Sequence, residues 1–159
     1  MNTLLIFGLG YCGRAVADAA TDFNVMATSR SIDAPDRAMA VESGSSVGRV
    51  ESSQLTRIPF AAAEPAIVAA THVLVTVPPD ADGDPVLNRY SDAIAAAPML
   101  RWIGYLSSTV VYGDQGGAWV DEATPPSPSQ PRGQRRLEAE RAWSRFSSRY
   151  AVDLFRLAG

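Results

Sequence analysis

A glycine-rich turn directly after the first apolar run constrains the fold of this chain more than any other feature. Residues 3–7 are mostly apolar, and the glycines that follow have the order G-x-G-x-x-G: Gly8, Gly10 and Gly13. The first glycine of this order permits a tight turn, the second lets the backbone approach a pyrophosphate, and the third lets a helix pack closely on the strand. The order is informative only between a strand and a helix. It predicts a dinucleotide-binding turn here, and the alternative is a turn needed only for packing.

Short apolar runs alternate along the chain with alanine-rich segments of helical spacing. The runs are 3–7, 23–28, 72–77, 102–107 and 152–157, and a short third strand is expected near 48–51. The helical segments are 14–20, 35–41, 61–70, 85–97 and 134–150. Apolar runs without polar alternation are typical of strands buried on both faces of a parallel sheet. We therefore predict an α/β fold with a doubly wound, mostly parallel, Rossmann-like sheet of six strands and helices on both faces.

Composition excludes several classes of protein. The 159 residues fit one domain, 1–159, and the net charge of -3 argues against a nucleic-acid partner. The apolar runs are far shorter than the ~20 residues that cross a membrane, and the first residues carry no basic leader, so we expect a cytoplasmic protein. All 14 basic residues are arginine, which excludes a lysine phosphate loop and a Schiff-base lysine. With one cysteine, Cys12, we expect no disulfide and no metal site.

The end of the second apolar run bears on the choice of dinucleotide. NAD enzymes have an acidic residue here that hydrogen-bonds the adenosine ribose, whereas this chain has Ser29 and Arg30. Arg30 can pair with a 2′-phosphate and Ser29 can donate to it, so NADP is favoured over NAD. A surface arginine is the alternative, and Asp33 keeps NAD open. Tyr11 and Cys12 occupy the variable positions of the glycine turn, beside the expected dinucleotide.

Hydroxyl groups cluster where the fifth apolar run ends. Ser107, Ser108 and Thr109 stand there, and Tyr112 follows before a long loop at 113–131. Ligands of an open α/β sheet bind beyond the carboxyl ends of its strands. We therefore expect these hydroxyls to face a dinucleotide or a substrate. A turn in which they satisfy the local backbone is the alternative.

Three further segments give the chain a family resemblance. They are S-S-T-V-V-Y-G-D at 107–114, D-E-A-T-P-P at 121–126 and F-R-L-A-G at 155–159. Together with the glycine turn, they resemble the extended short-chain dehydrogenase/reductase family, the NAD(P)-dependent epimerases and dehydratases of nucleotide sugars. The resemblance implies that Ser108, which lies four residues before Tyr112, polarises the substrate. It also implies that family members continue past the final strand into a substrate-binding lobe, which we expect to be absent from this chain.

The catalytic tyrosine and lysine of that family are replaced here. The stretch R-G-Q-R-R-L-E-A-E at 132–140 matches the family pattern Y-G-x-x-K-L-x-x-E, with Arg132 for the tyrosine and Arg136 for the lysine. A guanidinium stays protonated at neutral pH and cannot act as a general base. The chain is therefore similar to an atypical branch of the family that lacks the dyad. Arg136 could still hold a ribose or phosphate of the dinucleotide, and Arg132 could clamp an anionic substrate.

Two hypotheses for function follow. In the first, the chain is a diverged, epimerase- or dehydratase-like oxidoreductase or isomerase that acts on a nucleotide sugar or another anionic small molecule. Ser108 would polarise the substrate, and Thr109, Tyr112, Asp121 or water would move the proton. In the second, the chain binds NADP without turnover, as a sensor or scaffold. The missing dyad favours the second hypothesis, and the retained Ser108 favours the first. An open hydrophobic edge could also pair two copies into a homodimer.

Overall fold

The chain folds around a single six-stranded sheet. A computed structural model describes residues 2–29 and 55–158. The strands are β1 (Thr3–Phe7), β2 (Asn24–Ser29), β3 (Leu55–Pro59), β4 (His72–Val75), β5 (Trp102–Ser108) and β6 (Ala151–Leu157). Their order across the sheet is β3-β2-β1-β4-β5-β6, and each neighbouring pair is parallel. The strand order reverses between β1 and β4, which is the point where doubly wound sheets bind ligands.

Helices connect the strands throughout the described ranges. They are α1 (Tyr11–Ala19), α2 (Glu64–Ala69), α3 (Pro85–Ala95) and α4 (Pro131–Ser144), with short 3-10 segments at Phe60–Ala62, Thr109–Tyr112 and Arg145–Ser148. The start of α3 shows how the sequence fixes a helix end. Asp84 accepts hydrogen bonds from two amides of the first turn, and Pro85, which has no amide hydrogen to leave unpaired, occupies the first position.

Helices cover both faces of the sheet. On one face α2, α3 and α4 pack against the strands through Ile67, Ile94 and Trp143, all of which are fully buried. On the other face α1 contributes Ala17 to a cluster that includes Ile6 of β1. Because both faces of the central strands are buried, the strands show no polar alternation in the sequence. The predicted Rossmann-like α/β fold is confirmed, and the sheet is parallel throughout.

Most element boundaries differ from the sequence-based ones by a few residues, and two elements differ more. The third described strand is Leu55–Pro59, whereas the strand expected near 48–51 and the helix expected at 35–41 lie outside the described residues. The last helix begins at Pro131 and ends at Ser144, earlier than the spacing predicts, because the chain then tightens into a 3-10 turn. None of the helices in the described ranges combines the length and the apolar character that a bilayer crossing requires.

Candidate functional site

The turn between β1 and α1 brings backbone groups into close contact. Gly8 has a φ of 100°, a left-handed conformation that other residues rarely adopt, and an added Cβ would lie 2.6 Å from Thr76 Oγ1. The Thr76 hydroxyl is shared between the carbonyls of Phe7 and Gly8, at 3.0 and 2.8 Å. A Cβ added at Gly13 would lie 2.1 Å from the Gly8 carbonyl oxygen. The turn therefore holds the start of α1 directly against the end of β1.

Gly10 faces open space at the start of α1. Beyond Gly10 and its immediate neighbours in the chain, no atom of the described residues lies within 4 Å of the position that a Cβ would take there. Gly10 caps the helix without a side-chain hydrogen bond. The first turn of α1 also holds no acidic residue that would neutralise the positive end of the helix dipole. Uncapped amides beside open space are what a pyrophosphate requires, so the residues present fit a dinucleotide.

The other residues that the sequence assigns to the dinucleotide surround this turn. Tyr11 is 89% exposed, and Cys12 is half-buried in the first turn of α1. Ser29 is half-buried at the end of β2, the strand that pairs with β1. Arg30 and Asp33 lie outside the described residues. The structure thus places Tyr11, Cys12 and Ser29 at one edge of the sheet, and the role of Arg30 stays a prediction.

The carboxyl end of β5 lies two strands from β1 at the same edge of the sheet, about 10 Å away by ordinary strand spacing. Ser108 ends β5, and its hydroxyl oxygen accepts a hydrogen bond from Val110 N at 3.3 Å. The hydrogen of that hydroxyl has no acceptor among the described residues. Thr109 is half-buried and Tyr112 is 5% exposed in the 3-10 turn that follows. Ser108 therefore satisfies the local backbone and still has a hydrogen to donate.

A buried carboxylate joins α4, β5 and β6 behind these hydroxyls. Glu140 of α4 is 1% exposed and accepts a hydrogen bond from the Ser107 hydroxyl at 2.5 Å. Arg156 of β6 donates to both Glu140 oxygens, from Nε at 3.0 Å and from Nη2 at 2.8 Å. Its Nη1 donates to the Tyr112 hydroxyl at 3.0 Å. These four residues form the Glu140 network, in which the hydrogen bonds to Glu140 raise the pKa of Arg156 above its ordinary value.

The two arginines that stand where the family has tyrosine and lysine lie in different environments. Arg136 is 8% exposed, and its Nη1 donates to the Tyr105 hydroxyl at 3.3 Å and to the Leu106 carbonyl at 3.0 Å. Its Nε is buried and has no hydrogen-bond partner. Arg132 is exposed in the first turn of α4. One arginine therefore sits inside the protein and the other on its surface.

Burial shifts the pKa of two groups near Arg136. Burial raises the pKa of Tyr105 to about 12, and the positive charge of Arg136 opposes that shift. Burial also raises the pKa of Asp84, although Trp143 Nε1 donates to that carboxylate at 2.9 Å and Arg136 again acts in the opposite direction. Arg136 thus supplies positive charge to the interior between α3, β5 and α4.

The sequence analysis did not identify the Glu140 network. A signal was available, because Arg156 stands between the apolar residues Phe155 and Leu157 in a strand. A charged side chain that is mostly buried needs a partner, and the Arg156 side chain is 19% exposed. The sequence does not say which residue that partner is, since Glu140 lies 16 residues earlier on another element.

A cavity of about 530 Å³ opens at the carboxyl ends of β5 and β6. Its polar lining residues are Thr109, Tyr112, Asp121, Glu122 and Arg156. A second cavity of about 570 Å³ lies on the α1 face and is lined almost wholly by apolar side chains. The first cavity is therefore the one that adjoins the site predicted from the sequence, and its volume is typical of small-molecule sites. No group of three metal-ligating side chains occurs within residues 2–29 and 55–158.

Solved structures of both known and unknown function share the fold. A functionally unknown conserved protein from Silicibacter pomeroyi is 39% identical, with a TM-score of 0.79, and the match covers 100% of this chain and 53% of that one. The UDP-N-acetylglucosamine 4-epimerase from Bacillus cereus is 14% identical, with a TM-score of 0.70 and coverages of 98% and 60%. The UDP-glucuronic acid 4-epimerase from Bacillus cereus, in complex with NAD, is 16% identical, with a TM-score of 0.69 and coverages of 98% and 56%.

These comparisons bear on the fold and on the length of the chain. No family model and no curated protein matches the sequence. The chain spans about half the length of the solved proteins that it matches. It has the Rossmann-like fold of nucleotide-sugar epimerases, one of which holds NAD.

Proposed function

We propose that this chain binds a nicotinamide dinucleotide at the turn between β1 and α1 and belongs to an epimerase- or dehydratase-like protein. The observation that carries the proposal is the turn itself. It is closed at Gly8 and Gly13, where a Cβ would collide, and open at Gly10, where a phosphate would approach. Residues 1–159 act as the NAD(P)-binding domain in this proposal.

Different residues along this edge of the sheet bind the pyrophosphate, the adenosine end and the substrate. The amides of the first turn of α1 hold the pyrophosphate, and Ser29 and Arg30 bind the adenosine end. Arg136 is assigned to the dinucleotide by its place in the sequence, and its Nε is a buried donor without a partner. When bound, the dinucleotide supplies reversible hydride transfer. Ser108 donates its uncommitted hydrogen to a substrate oxygen, and the Tyr112 or Thr109 hydroxyl moves the proton.

The preference between NADP and NAD depends on Arg30. We expect NADP to bind more tightly, because a guanidinium pairs with the 2′-phosphate. Replacing Arg30 with alanine should then weaken NADPH binding about tenfold, the loss of one charge-assisted hydrogen bond, and leave NADH binding unchanged. Titration of intrinsic fluorescence with each reduced dinucleotide measures both affinities. Equal affinities for NADPH and NADH in the unsubstituted chain would contradict the expected preference for NADP.

A second candidate function is dinucleotide binding without turnover, as a sensor or scaffold. The observation that favours it is the environment of the two arginines that replace the catalytic tyrosine and lysine of the family. Arg136 is committed to Tyr105 and Leu106, and Arg132 is exposed, so neither offers the phenol and ammonium pair of the family. In this candidate the Glu140 network keeps the end of β5 rigid and takes no part in chemistry.

Cys12 provides a direct test of dinucleotide binding. It is the only cysteine of the chain and lies at the start of α1. We expect NADH or NADPH to slow its alkylation by a maleimide, because a bound pyrophosphate would cover the first turn of the helix. The Gly10→Thr variant should lose this protection, with affinity reduced about tenfold or more as the added side chain fills the space for the phosphate.

The Gly10→Thr variant separates loss of binding from loss of folding. Threonine caps helices about as well as glycine, and the added Cβ meets no atom within 4 Å, so the melting temperature should be unchanged. Alkylation that ignores both dinucleotides in the unsubstituted chain would refute the proposal.

Turnover distinguishes the two candidates. Conversion of a panel of UDP-sugars is followed by NMR of the sugar products, in the unsubstituted chain and in Ser108→Ala, because an epimerase or dehydratase returns its nicotinamide to the starting oxidation state in each turnover. Conversion that Ser108→Ala abolishes supports the enzyme. Cys12 protection with no conversion of any UDP-sugar supports the sensor or scaffold.

A further inference from the structure

We infer that the cavity at the ends of β5 and β6 binds a hydroxylated ring that is uncharged or carries an amine, and that it disfavours a carboxylate or phosphate. The inference deepens the proposed function, because it names the class of substrate group that lies beside Ser108. It rests on the charges that line the cavity and on one buried hydroxyl.

Among the described residues, one basic side chain lines the cavity, and it is already neutralised. Arg156 donates to both oxygens of Glu140, at 3.0 and 2.8 Å, and Glu140 is almost completely buried. An anion entering the cavity would have to compete with that carboxylate for the same guanidinium. Arg156 therefore contributes hydrogen-bond donors to the cavity without contributing net charge.

The other charged side chains that the described part of the chain contributes to the lining are negative. Asp121 accepts hydrogen bonds from Ala123 N, Thr124 N and the Thr124 hydroxyl, at 3.1, 2.9 and 2.9 Å. The bond from the Thr124 hydroxyl lowers the pKa of Asp121, so this carboxylate stays ionised. Glu122 is exposed, and it has no ion-pair partner among the described residues. One wall of the cavity thus carries two carboxylates that form no ion pair with any described residue.

Tyr112 provides an independent sign that a ligand belongs here. Its side chain is 5% exposed and lines the cavity. Its oxygen accepts from Arg156 Nη1, but its own hydroxyl hydrogen has no acceptor among the described residues. A hydroxyl that accepts one hydrogen bond can still donate its own hydrogen, so Tyr112 has a donor to offer to the cavity. A ligand hydroxyl oxygen would satisfy it, while Leu154 and Val120 contact the apolar face of the ring.

Three monosaccharides that differ at one group test the inference: glucosamine, glucose and glucuronate. Each is titrated by NMR at mildly acidic pH and constant ionic strength, with the methyl signals of Val120 and Leu154 as the readout. We expect glucosamine to bind about tenfold more tightly than glucuronate, from two exposed charge contacts of ordinary strength, with glucose between them. Higher salt should shrink the difference.

Two sets of variants test whether the carboxylates of the cavity wall and the Tyr112 hydroxyl cause the expected differences in sugar affinity. In Asp121→Asn combined with Glu122→Gln, the three affinities should agree within about twofold, since no net charge remains at that wall. Glu138→Gln, which removes one negative charge from the exposed side of α4, should leave the tenfold preference in place. Tyr112→Phe should weaken all three sugars by a similar factor, about fivefold, the loss of one hydrogen bond.

The outcomes separate this inference from the proposed function. Glucuronate that binds as tightly as glucosamine, or no sugar-induced shift at Val120 and Leu154, overturns the inference. Cys12 protection by NADH, measured on the same samples, reports the dinucleotide site alone. Protection without sugar binding leaves the proposed function standing, and the glucosamine preference without protection leaves the inference standing.

Discussion

The glycine turn and the end of β5 lie at the same edge of one sheet, but they are made of different parts of the chain. The turn uses backbone within residues 8–13. Its shape depends on the absence of side chains at Gly8 and Gly13, and Gly10 leaves space beside the first turn of α1. The end of β5 depends on the Glu140 network, whose members come from 107, 112, 140 and 156. The first site is therefore local in sequence and the second exists only after the sheet has formed.

This difference determines whether a substitution at each site should alter dinucleotide binding or the stability of the fold. Substitutions at the turn should alter dinucleotide binding, and they should affect stability only where an added atom meets backbone. Substitutions in the Glu140 network should affect stability first, because each of its members holds two or more elements together.

The largest effect is expected from Glu140→Ala. The substitution leaves Arg156, whose side chain is 19% exposed, without its counter-charge, and it removes the acceptor of the buried Ser107 hydroxyl. We expect a loss of about 3 to 5 kcal/mol in the free energy of unfolding, as for other broken buried ion pairs. Urea unfolding followed by circular dichroism measures it.

Two controls accompany that measurement. Glu138→Ala, on the exposed side of the same helix, should change the free energy of unfolding by less than about 0.5 kcal/mol. The double variant Glu140→Ala, Arg156→Leu should recover part of the loss, since it no longer buries an unpaired charge. A loss below about 1 kcal/mol in Glu140→Ala would mean that the Glu140 network does not hold α4, β5 and β6 together in the way described.

A smaller loss is expected from Gly13→Ala, in the turn. The new methyl group would lie 2.1 Å from the Gly8 carbonyl oxygen, so α1 and the turn have to separate. We expect a loss of about 2 kcal/mol in stability, typical of overpacking, together with loss of Cys12 protection. Gly10→Thr should lose the protection alone. If Gly13→Ala and Gly10→Thr unfold at the same urea concentration, the packing argument for Gly13 fails.

The fold was accessible to sequence reasoning wherever a local rule applies. Apolar runs predict β1, β2, β4 and β5, and Asp84 with Pro85 predicts the start of α3, because burial in the sheet and helix capping leave direct marks in sequence. The apolar run at 152–157 also predicts β6, although β6 is an edge strand without a fully buried residue. β3 was not identified. Its sequence, Leu55 to Pro59, includes Thr56 and Arg57 and ends in proline, and as an edge strand it is only partly buried.

The site was predictable only in part, for the same reason. The role of each glycine in the turn follows from its place in the G-x-G-x-x-G order and can be predicted without the tertiary structure. The position of Glu140 has no such meaning, because a glutamate in a helix with many charged residues is normally solvated. The position of Arg156 between apolar residues indicates that it needs a partner but not which residue that is. Their role depends on α4 and β6 flanking β5, which fixes the distance between residues far apart in the chain.

A pH effect of intermediate size is expected at Asp84, away from both sites. Burial raises the pKa of this carboxyl above 3.8, so the folded chain binds the proton more tightly than the unfolded chain does. Stability contributed by Asp84 is then greatest below pH 3.8 and falls as the pH rises through the folded-state pKa.

Comparison with Asp84→Asn isolates that contribution. The difference in unfolding free energy, unsubstituted minus variant, should decrease with pH above 3.8 and then become constant. A constant offset is expected as well, because the asparagine amide removes an acceptor of Trp143 Nε1. A free-energy difference that stays constant, or rises with pH, would show that burial does not destabilise the ionised form of Asp84.

The smallest effect is expected from Tyr11→Ala, and it sharpens the contrast between the two regions. Tyr11 is 89% exposed, so its removal should change the free energy of unfolding by less than about 0.5 kcal/mol. If backbone amides bind the pyrophosphate, the dinucleotide affinity should also stay within about threefold, since the amide of residue 11 is retained. Cys12 protection by NADH measures the affinity, with Gly10→Thr as the variant that loses it. A loss in Tyr11→Ala as large as that in Gly10→Thr would mean that the turn binds through side chains, and the distinction between a backbone site and a side-chain site would no longer hold for this molecule.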